Sequence, residues 1–469
     1  MTGIRPRPHR TAIPTHLKGR NMYKATRVAA VVAGAALVVG MSACSAGGGG
    51  GSDGGKVTLQ YWMWDDTQVP AYQQCADDFH KANPDITIKI SQSAWGDYWT
   101  ALTTQIAAGS APDVWVDQVS YYPQFVQDQQ IVDIEPYVKK DKIDLGQYVD
   151  GLPELWANDG KRYGLPKDWD TMGLVYDKKA VAAAGITEDE LANLTWNPQD
   201  GGTFEQVIAK LTVDKNGHNA LDPAFDKNHV KTYGFLPEWA DGSQGQNGWG
   251  NLAFSLGWTY ANKNPFGTKF NYGDPKLIET IDWLASLAGK GYAPKFDAQS
   301  TLSRDQVLAG GGGAMTTLGS WTLMSYKDKV DTYGFAPLPT GPEGRKSAIN
   351  GLSDAIYAGS KHKDQAWEWV KYLASSDCQD SVAATGIVFP AIKTASEKSA
   401  QVRQGLGLNA KVFLDEQQAK DGTFIIPISL HGAEISQTVQ DAIQSVALGK
   451  EDASKALPAA NDQVNALFQ

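Results

Sequence analysis

From Val57 onward, apolar positions fall into short strand-like runs separated by amphipathic segments. Val57-Thr58-Leu59-Gln60-Tyr61-Trp62-Met63-Trp64 is rich in β-branched and aromatic residues and stops at Asp65-Asp66, which predicts a strand. Pro70 then opens a segment in which Tyr72, Cys75 and Phe79 recur at three- and four-residue spacing. That spacing predicts one buried face of a helix, and Asn83-Pro84 ends it. Residues 86–90 predict a second strand, residues 94–99 (AWGDYW) a loop, and Trp99, Leu102 and Ile106 a second helix ending at Gly109. Residues 111–117 (APDVWVD) read as a third strand with Asp117 at its carboxyl end. Strand and helix alternate, so the chain is expected to form an α/β sheet with helices on its faces. Ligands of open α/β sheets sit beyond the carboxyl ends of the strands. Asp65, Asp66 and Asp117 take such positions, where helix N-capping is the competing role for an aspartate.

A different pattern comes first. Residues 28–41 (VAAVVAGAALVVGM) are an apolar run with Lys24 and Arg27 upstream and small residues after it. At fourteen residues the run is shorter than the roughly 20 a membrane-spanning helix needs, and its layout is that of a secretory signal. Met41-Ser42-Ala43-Cys44 resembles a bacterial lipoprotein lipobox, with Met41 in the place of the usual Leu. The resemblance implies that residues 1–43 are removed and that Cys44 becomes the lipidated first residue; an ordinary signal peptide with a nearby Cys is the alternative. Residues 44–55 would then be the lipidated Cys and a Gly-rich tether reaching roughly 18 Å as a random chain. The first 21 residues carry no apolar periodicity, and Met22 would start a signal of ordinary length, so we expect translation to begin there, with a long n-region from Met1 as the alternative.

About 414 residues follow the tether, room for two or three domains' worth of core. The formal charge is −10, and removing the five Arg and two Lys of residues 1–43 takes it to −17. No basic stripe or polybasic patch accompanies it, which argues against nucleic acid or lipid headgroups as partners and leaves the lipid anchor as the expected tie to the membrane. All 15 Trp lie after Cys44, many beside Asp, Asn or Gly, as in WMWDD (62–66), NGWGN (247–251) and GSW (319–321). Aromatic rings stack on the apolar faces of sugars while carboxylates and amides meet the hydroxyls, so this mixture suits a carbohydrate cleft. About half of the Trp are expected in the core, foremost Trp283, Trp367 and Trp369, which sit in helical patterns.

Motifs of nucleophilic, zinc or phosphate chemistry are absent from the sequence, and His80, His218, His229, His362 and His431 lack metal-ligand spacing. No catalytic residue, metal or cofactor is expected. Residues 214–217 (DKNG) read as a turn rather than a calcium loop, because the closing Glu is missing. If Cys44 carries lipid, Cys75 and Cys378 remain as an even pair in an oxidising compartment; the sequence leaves open whether they are bridged or are two buried thiols.

Ordered along the chain are WDD (64–66), FHKANPDI (79–86), TQIAAGSAPDVWV (104–116), YGLPKDWDTMGLVYDKKAVAAAGI (163–186), GGAMTTLGSW (312–321), the block at 335–379 and GIVFPA (386–391). This order resembles the extracellular family 1 solute-binding proteins, the sugar-capturing subunits of ABC importers, from about Lys56 to Gln469. The resemblance implies a two-lobed, periplasmic-binding-protein-like type II α/β fold with discontinuous lobes and a hinge. Lobe one is expected at 56–168 and 340–388, lobe two at 169–339 and 389–469, with crossings near Asp168-Trp169, Leu338-Pro339 and Phe389-Pro390. That layout puts Cys75 and Cys378 in the same lobe and favours a bridge between them.

Carried over residue by residue, the resemblance implies a ligand site of Trp64, Asp65 and Asp66, Trp95 and Asp97, Asp117, the crossing-motif Asp170, and Trp321 of GSW as a stacking ring. Asn350 and Gly351 would approach from the second crossing, and Trp239, Asn247 and Trp249 from the variable region. The implied protein is a monomer anchored on the extracellular face of the membrane. It would bind a sugar, expected to be an oligosaccharide, and deliver it to the permease subunits of an ABC transporter. The rival readings are a tethered glycoside hydrolase, since carboxylates abound, and a scaffolding lipoprotein.

Overall fold

The structure, a computed structural model, describes residues 55–239, 242, 244–299 and 303–469; the signal segment and Cys44 lie outside these residues. Strand β1 (Val57–Met63) buries Leu59, Tyr61 and Met63 by simple alternation. Helix α1 (Val69–Ala82) has Pro70 in its first turn and buries Tyr72, Cys75 and Phe79. Asn83 ends the helix, its side-chain amide donating to the Phe79 carbonyl. Strand β2 (Ile86–Gln92) follows, and then α2 (Trp95–Ala107). The expected AWGDYW loop is instead the start of α2: Ala94 is extended at the N-cap, and Asp97 sits in the first turn, where a carboxylate favours the positive helix end.

Every residue of β3 (Val114–Gln118) is buried, and α3 (Tyr122–Gln127) comes next. β4 (Asp168–Asp170) and β5 (Met172–Asp177) are separated only by Thr171. Helices α4 (Gly202–Leu211), α5 (Trp249–Ser255) and α6 (Pro275–Lys290) lead to β6 (Met315–Gly319), β7 (Tyr333–Ala336) and β8 (Ser347–Ile356). The rest comprises α7 (Lys363–Leu373), α8 (Ser376–Thr385), β9 (Phe389–Pro390), α9 (Lys393–Gly405), α10 (Lys411–Gln418), β10 (Thr423–Ile425), α11 (Gly432–Ala447) and α12 (Ala453–Ala466).

The larger sheet runs β9-β4-β8-β3-β1-β2, with β10 beside the first residues of β8. β1 is parallel to β2 and β3, whereas β8 is antiparallel to β3 and β4. The smaller sheet, β6-β5-β7, is antiparallel throughout. Two strands join the sheets. One is β4–β5, which changes sheet at the fully buried Thr171. Its hydroxyl donates to the Phe413 carbonyl, and its backbone exchanges hydrogen bonds with Ser320. The other is β8: Met172 N–H donates to the Ser347 hydroxyl, and Ala348 N–H to Asn251 Oδ1, both at 2.8 Å.

Apolar residues form two cores, one around Leu59, Tyr61, Tyr72 and Trp369, the other around Trp196, Trp258, Ile281 and Ile443. Trp283, Trp367 and Trp369 are core residues as expected. Cys75 and Cys378 are bridged, with Cα atoms 5.3 Å apart, which ties α1 to α8. β9, at the expected crossing Phe389-Pro390, pairs with Trp169 and Asp168 in the larger sheet beside β4; Ala395 and Ala400 of α9 belong to the first core, and Phe424 and Ile435 further on belong to the second.

Candidate functional site

The parallel strands β1, β2 and β3 end on a cleft of about 420 Å³, inside the range of roughly 300–1,000 Å³ usual for small-molecule sites. Trp64, Asp65 and Asp66 follow β1, Gln92 closes β2, Trp95 opens α2 and Gln118 closes β3. Asp168, Trp169 and Asp170 come from β4, Asn350 and Leu352 from β8. The smaller sheet sends Trp321, just past β6, and the segment before α5 sends Gln246 and Asn247. No Lys, Arg or His lines this cleft among the described residues.

Local chemistry explains the placement of the GSW motif. A Cβ on Gly319 would sit 2.0 Å from the Trp321 ring, so only glycine lets the ring fold back over the strand end. Ser320 N–H donates to the Thr171 carbonyl at 2.9 Å, which fixes the motif to the residue after Asp170. On the larger sheet Trp64 meets Trp95 edge-on at 5.2 Å, and Trp99 stacks on Tyr121 at 3.8 Å. The Trp64 and Trp95 rings are only partly buried, so part of each stays available to a ligand.

The floor is acidic and buried. Asp170 Oδ1 accepts from Gln246 Nε2 at 2.7 Å; burial first, and then Asp168 nearby, hold the Asp170 carboxyl well above the usual carboxylate range. Burial also pushes Asp168 up to about 6, although the Lys167 charge opposes this. Lys167 itself is buried, its ammonium 3.9 Å from the centroid of the Tyr72 ring. Tyr61 donates to Asp354 Oδ1 at 2.7 Å beneath the floor, and burial raises Asp354 as well. Asn350 Oδ1 is buried without a hydrogen-bond partner among the described residues, a costly state unless a ligand completes it.

Of the expected residues, Trp64, Asp65, Asp66, Trp95, Asp170, Asn247, Trp321 and Asn350 come together here. Asp65 also organises the turn into α1, accepting from Thr67 N–H and Gln68 Nε2, both at 2.9 Å. The other five lie elsewhere. Asp117 points away because side chains alternate along β3 and Gln118 takes the cleft side; its buried carboxyl accepts from Gln118 N–H. Gly351 is likewise flanked by the cleft residues Asn350 and Leu352, and a Cβ there would meet Leu152 and Leu155. Asp97 is exposed on α2 outside the cleft, and Trp239 and Trp249 are buried in the second core. The sequence pattern does not single out Gln68, Gln92, Gln118, Asp168 or Gln246. Only Asp168, two residues before Asp170 on one strand, carried a sequence signal that would have found it.

Among the described residues no group of three or more His, Cys, Asp and Glu is arranged to hold a metal ion, and no helix is long and apolar enough to cross a membrane.

Comparison with known proteins bears on the same architecture. The maltodextrin-binding protein MdxE of Bacillus subtilis is 24% identical over 444 residues, which span 93% of this chain and 96% of MdxE. The ABC substrate-binding protein Lmo0181 of Listeria monocytogenes, solved in complex with cycloalternan, superposes with a TM-score of 0.76 at 19% identity, covering 88% of this chain and 98% of that one. UspC of M. tuberculosis gives a TM-score of 0.68 at 24% identity over 87% of this chain and 100% of its own. These likenesses establish the two-lobed fold. The profile of bacterial extracellular solute-binding proteins matches residues 74–406, most of the chain, and the chain belongs to that family.

Proposed function

We propose that this protein is the carbohydrate-capturing subunit of an ABC importer. It takes a neutral sugar, in our reading an oligosaccharide, into the cleft between its lobes and delivers it to the permease without altering it. The observation that carries this is the composition of the cleft. Four indole rings line it, three of them only partly buried (Trp64, Trp95 and Trp321) and the fourth, Trp169, buried, together with amides and carboxyls, and no cation lines it among the described residues. Stacking rings suit the apolar faces of sugars, and the amides and acids suit hydroxyls, whereas an anionic solute would find no counter-charge. Relatives named for maltodextrin and for multiple sugars support the same class.

In this reading one lobe is organised by the larger sheet and the other by the smaller, with β4–β5 and β8 as the crossing strands. The mature chain is a monomer held to the outer face of the membrane by a lipid on Cys44. A clickable fatty acid should label the wild type and spare Cys44→Ser.

A thermal-shift screen over mono- and oligosaccharides tests the main claim. A bound sugar should raise the melting temperature and be recovered intact; shortened sugar would mark an enzyme. By calorimetry, Trp321→Ala and Asp170→Ala should each weaken binding by about 1–3 kcal/mol. Unchanged affinity in both would sink the assignment.

A further inference from the structure

Beside the cleft lies a second, larger hollow of about 1,080 Å³. One wall is α2 with the residues around α3; the other is the first turns of α11. The two walls approach closely at Gly432, where a Cβ would sit 2.1 Å from the Ser120 carbonyl oxygen, so this end of the hollow is a trough rather than a gap. Trp95 borders both the cleft and the hollow. Its ring lies 5.2 Å from Trp64 on the cleft side and 6.2 Å from Tyr121 on the other. Aromatic rings therefore run from the cleft to the hollow, with Trp95 edge-on to both of its neighbours.

The trough walls carry the chemistry of hydroxyl recognition. Thr100, Thr103, Thr104, Gln124, Gln437 and Gln440 supply uncharged hydroxyls and amides. Among the described residues the lining has two acids, of which Asp128 accepts from Gln124 and Glu434 pairs with His431, and neither Lys nor Arg. This composition disfavours phosphorylated or uronic ligands. A cleft of about 420 Å³ lies near the low end of ligand-site volumes, and the trough more than doubles the space in reach of one ligand.

We propose that the binding site continues past Trp95 into this trough, and that the trough holds the further residues of a neutral, linear or cyclic oligosaccharide whose first residues occupy the cleft. The proposal rests on the sugar-binding reading above and extends it to ligand length. Titration calorimetry with maltodextrins, manno-oligosaccharides and arabino-oligosaccharides of increasing length tests it on the mature protein and on Gln437→Ala/Gln440→Ala. Both glutamines lie on the outer part of α11, where truncation leaves the core intact.

In a series that binds, affinity should climb roughly tenfold or more beyond the disaccharide. The double variant should lose roughly fivefold or more for the long members and nothing for the disaccharide, about one hydrogen bond's worth. Affinity that levels off at the disaccharide, or a variant that treats long and short members alike, overturns the trough proposal while leaving sugar binding in place. A protein that binds no member of any series overturns both.

Discussion

Gly319→Ala offers a sharp test of the Trp321 ring, because it perturbs the ring without removing it. Gly319 is buried at the end of β6 with φ −88° and ψ 144°, an extended conformation that alanine adopts freely, so the backbone bears no strain. What the new methyl meets is the indole: its Cβ would lie 2.0, 2.1 and 2.4 Å from three ring carbons. Ordinary contact begins near 3.4 Å, so the ring must withdraw by about 1.4 Å or swing to another rotamer. Either movement spoils a face-on stack, worth about 0.5–1.5 kcal/mol beyond area burial, or roughly 2- to 13-fold in affinity.

The assay is calorimetry with the sugar identified by thermal shift, on Gly319→Ala, Trp321→Ala and the double variant. Because the methyl acts only through the ring, the double variant should bind no worse than Trp321→Ala alone, a fully non-additive cycle. Wild-type affinity in Gly319→Ala, or losses that simply add in the double variant, would refute the claim that Trp321 stacks on the ligand.

Three further outcomes are expected. Gly432→Ala pushes the start of α11 off the Ser120 backbone and should weaken sugar binding roughly tenfold with little change in the melting temperature of the free protein; unchanged affinity would show that the contact is irrelevant to capture. Burial raises Asp168 to about 6 and Glu416 to about 7, so the fold holds protons that the unfolded chain has already released. Their contribution to stability therefore falls as pH rises from about 4 to 7, on the order of 2–3 kcal/mol each. Glu416→Gln should flatten this slope in denaturant melts between pH 5 and 7, and a variant with the parent's slope would contradict the assignment. Replacing both Cys75 and Cys378 by Ser opens a link across 303 residues and should lower unfolding stability, on the order of 5 kcal/mol in the chain-entropy treatment and less where the unfolded state keeps structure. An unchanged urea midpoint would show that the bridge constrains nothing.

What the sequence discloses about this fold follows the reach of its local patterns. The α1 face shows plainly, because Tyr72, Cys75 and Phe79 repeat at helical spacing and all three are buried. AWGDYW reads as a loop because Gly96 and clustered Trp break the apolar period, yet the extended Ala94 starts a helix at Trp95. GSW is placed in the site by the family resemblance, and the close approach of the Trp321 ring to Gly319 gives the physical reason for its glycine. The cleft glutamines carry no sequence signal, since Gln68, Gln92, Gln118 and Gln246 acquire meaning only when four separate segments meet. Asp117 and Gly351 show a subtler limit: the strand is legible, but a one-residue difference in alternation decides which face a side chain serves. Trp239 and Trp249 look as chemically suited to sugar as Trp321 does, and only tertiary packing assigns them to the core.

The same packing places the polar and aromatic groups of the cleft in different mechanical positions. Asp170 and Asn350 are register partners on β4 and β8, one or two residues from where each strand is tied to the smaller sheet's side by Ser320, Ser347 and Asn251. Any hinge motion between the proposed lobes must turn about these strands, so Asp170 and Asn350 lie close to the axis and shift little. Trp64 and Trp95 sit beyond the ends of β1 and β2 and travel with the larger sheet; Trp321 follows β6 and travels with the smaller. In the proposed sugar-binding reading, a sugar would engage the buried acid and the Asn350 oxygen, which has no partner among the described residues, while the lobes are apart, and gain its second stacking surface only as they close. Closure is then favoured by the ligand's differential contact with the rings, which is what a capturing protein requires: a ligand that met all groups equally in both states would shift nothing.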